Sequence, residues 1–233
     1  MHELEERLRR NLESVRSRIA AACGRSGRSP GDVKLVAVTK MVGLEEARAI
    51  ASLGVTDLGE NRVEEGLVKM EAMGQLAPGL RWHMIGHLQS RKARDAVGRF
   101  ALIHSVDSLK LLGELEKRSQ AAGVTTDILA EINVSGEEAK FGLSPEELEG
   151  FCRAASGCAR VRLCGLMTMA PLVGKAEDFR GIFRSLRQLR DGMNAAGACR
   201  APLAELSMGM TNDFEVAVEE GASIVRIGTA LFA

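Results

Sequence analysis

The chain has 233 residues, with 31 Lys+Arg against 31 Asp+Glu, and is 45% hydrophobic and 27% charged. That length suits one large domain, the apolar content excludes a disordered chain, and a net charge of zero argues against a general nucleic-acid binder, which needs a basic field to displace counterions. No apolar run approaches the roughly 18 residues of a membrane span, the opening MHELEERLRRNLESVRSRI is too charged for a secretory leader, and the five cysteines are never spaced as CxxC. This is the cysteine usage of a reduced, cytoplasmic protein.

Leu4, Leu8, Leu12, Val15 and Ile19 recur at three- and four-residue spacing, which predicts an amphipathic helix over residues 1–25, ended by the breaker segment 24–31. Short apolar runs then follow at 33–39, 55–59, 81–86, 102–106, 126–134, 161–167, 204–208 and 223–227. Helical patterns between them begin near Leu44, Arg62, Ser90, Leu109, Pro145, Ala176 and Phe214. Ser144-Pro145-Glu146-Glu147 is a helix start, with a capping serine, proline in the first position and acids in the first turn. Runs such as Leu35-Val36-Ala37-Val38 are apolar on both faces, as parallel strands covered by helices should be. A doubly wound open sheet reads almost identically, but eight strands in about 230 residues favour a closed (β/α)8 TIM barrel, expected as a single domain over 1–233 with the first helix packed outside it.

A barrel of this kind carries its active site at the carboxyl ends of its strands. Ser207-Met-Gly-Met-Thr211 and Gly228-Thr229 pair glycines with hydroxyls after the seventh and eighth strands, a composition suited to cradling phosphate with backbone N–H groups. Lys40 ends the first strand after an uncharged run and is expected to be partly desolvated, which would favour the neutral, nucleophilic amine. With a phosphate cradle on the opposite wall, the combination suggests a Schiff-base site for a phosphorylated aldehyde, either pyridoxal 5′-phosphate (PLP) or a sugar phosphate.

The ordered set Val36-Ala-Val-Thr-Lys40, Gly59-Glu-Asn61, Trp82-His-Met-Ile-Gly86-His-Leu-Gln89, Gly165-Leu-Met-Thr-Met169, Ser207-Met-Gly-Met-Thr211-Asn-Asp213 and Val225-Arg-Ile-Gly-Thr229 resembles the YggS/PROSC family of PLP homeostasis proteins over nearly the whole chain. The resemblance implies the barrel domain of alanine racemase (PLP fold type III) without that enzyme's second domain. It implies PLP held as an aldimine on Lys40, with Ser207, Gly209 and Thr211 in one phosphate loop and Gly228 and Thr229 in the other. Arg226 then faces the pyridine nitrogen, Asn61, His83 and Met167 line the cofactor, and Lys140 stands near the pocket rim as a candidate second PLP position. Thr211 stands where serine is usual, a mild change because the hydroxyl remains, and Arg91 stands where asparagine is common, which bears only on the local contacts of the third loop. The implied role is PLP homeostasis without established catalysis, with PLP-dependent apo-enzymes as candidate acceptors of the cofactor.

An arginine at the pyridine nitrogen donates no acidic proton, so the ring stays a weak electron sink. The chain has no tyrosine to serve as an opposing base. These features favour capture and release of PLP. The alternative is an enzyme, a racemase, decarboxylase or Schiff-base aldolase, with His83, His87 or Cys164 as the base. His83 and His87 straddle Gly86 and do not suggest a metal site, Arg180, Arg184, Arg187 and Arg190 read as the solvated face of a helix, and Arg91, Lys92 and Arg94 mark a basic corner. A monomer is favoured and a homodimer is left open.

Overall fold

All eight apolar runs become strands, and the strands close on themselves in chain order as a parallel barrel. The computed structural model describes residues 2–74, 79–137, 141–171 and 174–233. Helix α1 (His2–Ser26) precedes β1 (Lys34–Val38), α2 (Leu44–Ser52), β2 (Asp57–Glu60), α3 (Val63–Met73) and β3 (Arg81–Met84). The short α4 (Ala93–Ala96) leads to β4 (Leu102–Val106), α5 (Leu109–Ala122), β5 (Thr126–Glu131) and α6 (Leu148–Ser156). The barrel is completed by β6 (Val161–Met167), α7 (Arg180–Ala195), β7 (Glu205–Ser207), α8 (Phe214–Glu219), β8 (Ile224–Ile227) and a terminal turn of helix, α9 (Thr229–Phe232).

Closure is made by β1 and β8, where Lys34 through Ala37 pair with Ile224 through Ile227. Alternation along each strand then builds two cores. Val36, Leu102, Leu129, Met167 and Ile224 point inward and fill the barrel. The intervening residues, such as Ala37, Leu58, Ile103 and Ile128, pack outward against the helices. This is why the strands read as apolar on both faces.

Helix caps fall where the sequence places them. The Ser108 side chain accepts from Leu111 N–H at the start of α5, and Gly123 ends that helix at φ 68°. Ser144 N–H donates to Glu147 Oε2 at 2.8 Å, opening the turn that leads into α6. Helix α1 runs through Gly24 to Ser26, slightly beyond the expected stop. Its buried stripe of Leu8, Leu12, Val15 and Ile19 contributes about 1.5–3 kcal/mol of gross burial per side chain. It packs on α8, α9 and α2, and Asn11 Nδ2 donates to the carbonyls of Leu231 and Ala233, both at 2.9 Å.

The arginine stripe on α7 is not simply a solvated face. Arg180, Arg184 and Arg187 converge on Glu220 at 3.1, 2.9 and 3.1 Å, and Arg180 also meets Glu219 at 2.6 Å. These contacts fasten α7 to the end of α8. No helix of the described residues is long and apolar enough to cross a membrane.

Candidate functional site

Two concavities lie at opposite ends of the barrel. The one at the amino ends of the strands is larger, about 970 Å3, and lies beside α1 with Lys34, Asp57, Arg81 and Glu205 in its wall. Those charges already satisfy one another: Arg81 meets Asp57 at 2.6 Å, and Lys34 reaches Glu205 at 3.8 Å. The cavity at the carboxyl ends, about 420 Å3, instead gathers the strand-end residues, among them Lys40, Asn61, Glu131, Thr211, Arg226 and Thr229. Its chemistry makes it the candidate site despite its smaller size.

Lys40 stands in the turn after β1 and is exposed, whereas Thr39 is fully buried. The expected desolvation of the lysine is therefore not met, because the buried run stops one residue earlier. What the fold controls is the backbone beneath it. Thr39 Oγ1 donates to Glu60 Oε1 at 2.5 Å, while Lys69 Nζ donates to the Thr39 carbonyl at 2.6 Å and to Glu60 Oε1 at 2.7 Å. The other carboxylate oxygen of Glu60 is buried and has no hydrogen-bond partner among the described residues.

Asn61 follows β2 and reaches the cavity because Gly86 lets the two loops touch. A Cβ on Gly86 would lie 2.4 Å from the Asn61 carbonyl oxygen. His87, next in the chain, stacks on Phe141 with ring centroids 4.0 Å apart and meets Asp107 Oδ2 through Nδ1 at 3.1 Å. Both rings face the cavity.

Among the described residues, the turn from Met210 to Asp213 and the start of α9 leave the N–H groups of Thr211, Asn212, Gly228 and Thr229 without a protein acceptor. Thr211 Oγ1 accepts from Ala230 N–H at 3.3 Å, tying the two loops together. Gly209 holds φ 93° behind them, and a Cβ there would come within 2.6 Å of Ala217 Cβ. Because β8 pairs directly with β1, these loops lie beside the strand of Lys40 and not on the far wall that the sequence suggests.

Arg226 projects from β8 to the base of the cavity, where it is 4% exposed. Its guanidinium donates to Ser207 Oγ at 2.5 Å and to the Thr168 carbonyl at 3.0 Å. Burial lowers its pKa to about 10, against the opposing pull of Glu131 and Asp213, so it remains a cation at neutral pH. Burial, then repulsion from Asp107, pushes the Glu131 carboxyl up to about 7. Burial also raises the Asp213 carboxyl, although Met210 N–H donates to it.

Four of the expected site residues lie away from the cavity lining. Met167 belongs to the inner apolar cluster, Gly209 lies behind its loop, and Ser207 and His83 are turned into the barrel. His83 lies between Asp57 Oδ1 at 2.8 Å and His104 Nε2 at 2.9 Å, and His104 Nδ1 lies 2.8 Å from Ser207 Oγ. Lys140 falls outside the described residues. Glu131, His104 and Asp57 are not among the residues expected from the sequence; the signal that marks them is a polar side chain at an inward strand position. Of the basic corner, Lys92 pairs with Glu64 and Arg91 donates to Gln89 Oε1 at 2.7 Å.

Comparison with known proteins bears on the fold and the family. The model of the family "Alanine racemase, N-terminal domain" matches residues 6–233. The pyridoxal phosphate homeostasis protein of Aquifex aeolicus is 44% identical over 97% of this chain and 96% of its own length. The structure of PipY from Synechococcus elongatus PCC7942 with PLP bound superposes with a TM-score of 0.84 at 34% identity, covering 97% of this chain and all of PipY. Alanine racemase from Corynebacterium glutamicum, with a TM-score of 0.71 at 15% identity over 97% of this chain and 60% of the enzyme, shares the barrel fold alone. The chain therefore belongs to the alanine racemase N-terminal domain family and, within it, to the pyridoxal phosphate homeostasis proteins.

Proposed function

We propose that this chain binds PLP in the cavity at the carboxyl ends of its strands and serves vitamin B6 homeostasis with little or no amino-acid turnover. The observation that carries the reading is the meeting, in one cavity, of an amine, unused backbone donors and a fixed guanidinium: Lys40, the loops 211–212 and 228–229, and Arg226. Each matches one part of PLP: an aldehyde, a phosphate and a pyridine ring. PLP bound there supplies an aldehyde able to form a Schiff base with a primary amine.

The residues divide the work accordingly. Lys40 presents its amine from a turn anchored by Glu60 and Lys69. The two loops offer the N–H groups of Thr211, Asn212, Gly228 and Thr229, with the Thr229 hydroxyl beside them, as neutral donors for a phosphate. Arg226 is held by Ser207 and Thr168, and a guanidinium offers hydrogen bonds without giving up a proton at neutral pH. Asn61 closes one side of the cavity. Support also comes from PipY, solved with PLP bound, and from relatives named for PLP homeostasis. PLP-dependent apo-enzymes, the natural consumers of the released cofactor, are the proposed acceptors, and a reducing cytoplasm is the proposed setting.

A second reading, catalysis on amino acids, rests on His87. It is the one histidine on the cavity wall among the described residues, whereas His83 and Cys164 face the barrel interior. Deuterium uptake at the α-carbon of amino acids from D2O tests it. Exchange that is lost in both Lys40→Ala and His87→Ala would favour the enzyme, and no exchange favours the binding protein.

The primary test is borohydride reduction of the PLP-loaded protein followed by peptide mapping. Wild type should carry one adduct at Lys40, and Lys40→Ala should lose it together with the visible absorbance of the bound cofactor. Full occupancy of a reducible adduct in Lys40→Ala would overturn the assignment.

A further inference from the structure

The contacts among Asp57, His83, His104, Ser207 and Arg226 form one unbroken column through the barrel interior. Its distances are 2.8, 2.9, 2.8 and 2.5 Å in that order. Every hydrogen bond needs one donor, and this decides the direction of each link. Burial raises the Asp57 carboxyl, but the hydrogen bonds from His83, Arg81 and Thr56 outweigh it and keep the group ionised. A carboxylate only accepts, so the proton on that link belongs to His83 Nε2. Burial, against the pull of Asp57, lowers the pKa of His83, and burial, then repulsion from His83 and Arg226, holds His104 well below the usual imidazole range. Both rings are therefore neutral, each with one N–H.

The rest follows by elimination. His83 Nδ1 must accept, so His104 Nε2 donates to it. His104 Nδ1 must then accept, so the Ser207 hydroxyl donates inward. Ser207 Oγ in turn accepts from Arg226 Nη1. All four bonds point the same way, from the cation below the ligand cavity to an anion near the amino end of the barrel.

We propose that Asp57, His83 and His104 are positioning residues for the ligand: by engaging the Ser207 proton they make Ser207 an acceptor that fixes Arg226 at the base of the cavity. Ser207 then has no proton to offer an anion, which separates it from the donors of the 211–212 and 228–229 loops. Its buried place at the end of β7 agrees with this. The role rests on the reading of the cavity as a PLP site, but the direction of the column does not.

Two measurements separate those claims. Nitrogen-15 spectra of the ligand-free protein should show both His83 and His104 as neutral Nε2–H tautomers at pH 7. A charged ring or an Nδ1–H tautomer at either position would overturn the column. PLP titration should then show about tenfold or greater weakening in His104→Leu and Ser207→Ala, the order expected for losing a hydrogen bond to a charged group. His104→Gln presents a donor and an acceptor at similar separation and should stay within about threefold of wild type. If His104→Leu is folded by circular dichroism and binds PLP as wild type does, or if His104→Gln is no better than His104→Leu, the positioning role is refuted. Should His104→Leu fail to fold, Ser207→Ala decides, and wild-type affinity in that variant is the overturning result. If wild type takes up no PLP, the proposed function falls, while the spectra still judge the column.

Discussion

Replacing Glu131 by glutamine should stabilise this protein, and by more at pH 8 than at pH 5. Glu131 ends β5, is 3% exposed and faces the cavity. Burial, then Asp107, moves its carboxyl from 4.5 up to about 7, with Arg226 pulling the other way. A carboxyl raised in the folded state holds its proton more tightly there than in the unfolded chain. Its contribution to stability is therefore greatest below the unfolded value of 4.5, falls as pH rises toward about 7, and levels off above that. At about 1.4 kcal/mol per tenfold, that interval corresponds to about 3 kcal/mol. Glutamine keeps the shape without the charge. In urea unfolding, the advantage of Glu131→Gln over wild type should grow by about 2–3 kcal/mol between pH 5 and pH 8. An advantage that is independent of pH, or that shrinks as pH rises, would refute the reasoning.

Lys69→Met should cost about 3–5 kcal/mol, because it leaves the buried carboxylate of Glu60 unpaired, and it should also weaken PLP binding by loosening the Thr39 carbonyl under Lys40. Denaturant titration checks the first effect, and the double variant Glu60→Gln/Lys69→Met should recover most of the stability. Gly209→Ala should cost about 2–4 kcal/mol, combining a left-handed backbone at φ 93° with a Cβ 2.9 Å from Phe214 Cα. A loss below 1 kcal/mol by calorimetry would mean that the loop relaxes freely.

The barrel was legible because its strands are buried on both faces and its helices carry one apolar face each, so the period of the pattern changes at nearly every boundary. Strand ends were legible for the same reason: Lys40, Asn61, Thr211, Arg226, Gly228 and Thr229 all face the one cavity. Residues inside the strands were harder to place. Ser207, two residues before Gly209, looks like part of a phosphate loop, but it is the last residue of β7 and its side chain turns inward. Placing His83, His104 and Asp57 in one column requires the register that sets His83 of β3 between its neighbours, and no local pattern contains that information. Lys40 follows the same logic in reverse, since one residue beyond the buried Thr39 is enough to reach solvent. The role of the α7 arginines depends on Glu220, a residue 33 or more positions away.

The grip of α1 on the final turn has a kinetic side. Asn11 holds a carbonyl 220 positions later in the chain, and α9, which it steadies, begins at the Gly228–Thr229 loop. The cavity therefore has no early version: one wall of the barrel and the free N–H groups of Gly228 and Thr229 come with β8, the last of the eight strands in chain order. Pairing across so long a separation is slow, and a nascent chain paused before β8 would expose the inner apolar face that Ile224 completes. Such a chain is a natural client for chaperones, and pulsed hydrogen exchange should find protection at β1 and β8 appearing together and late.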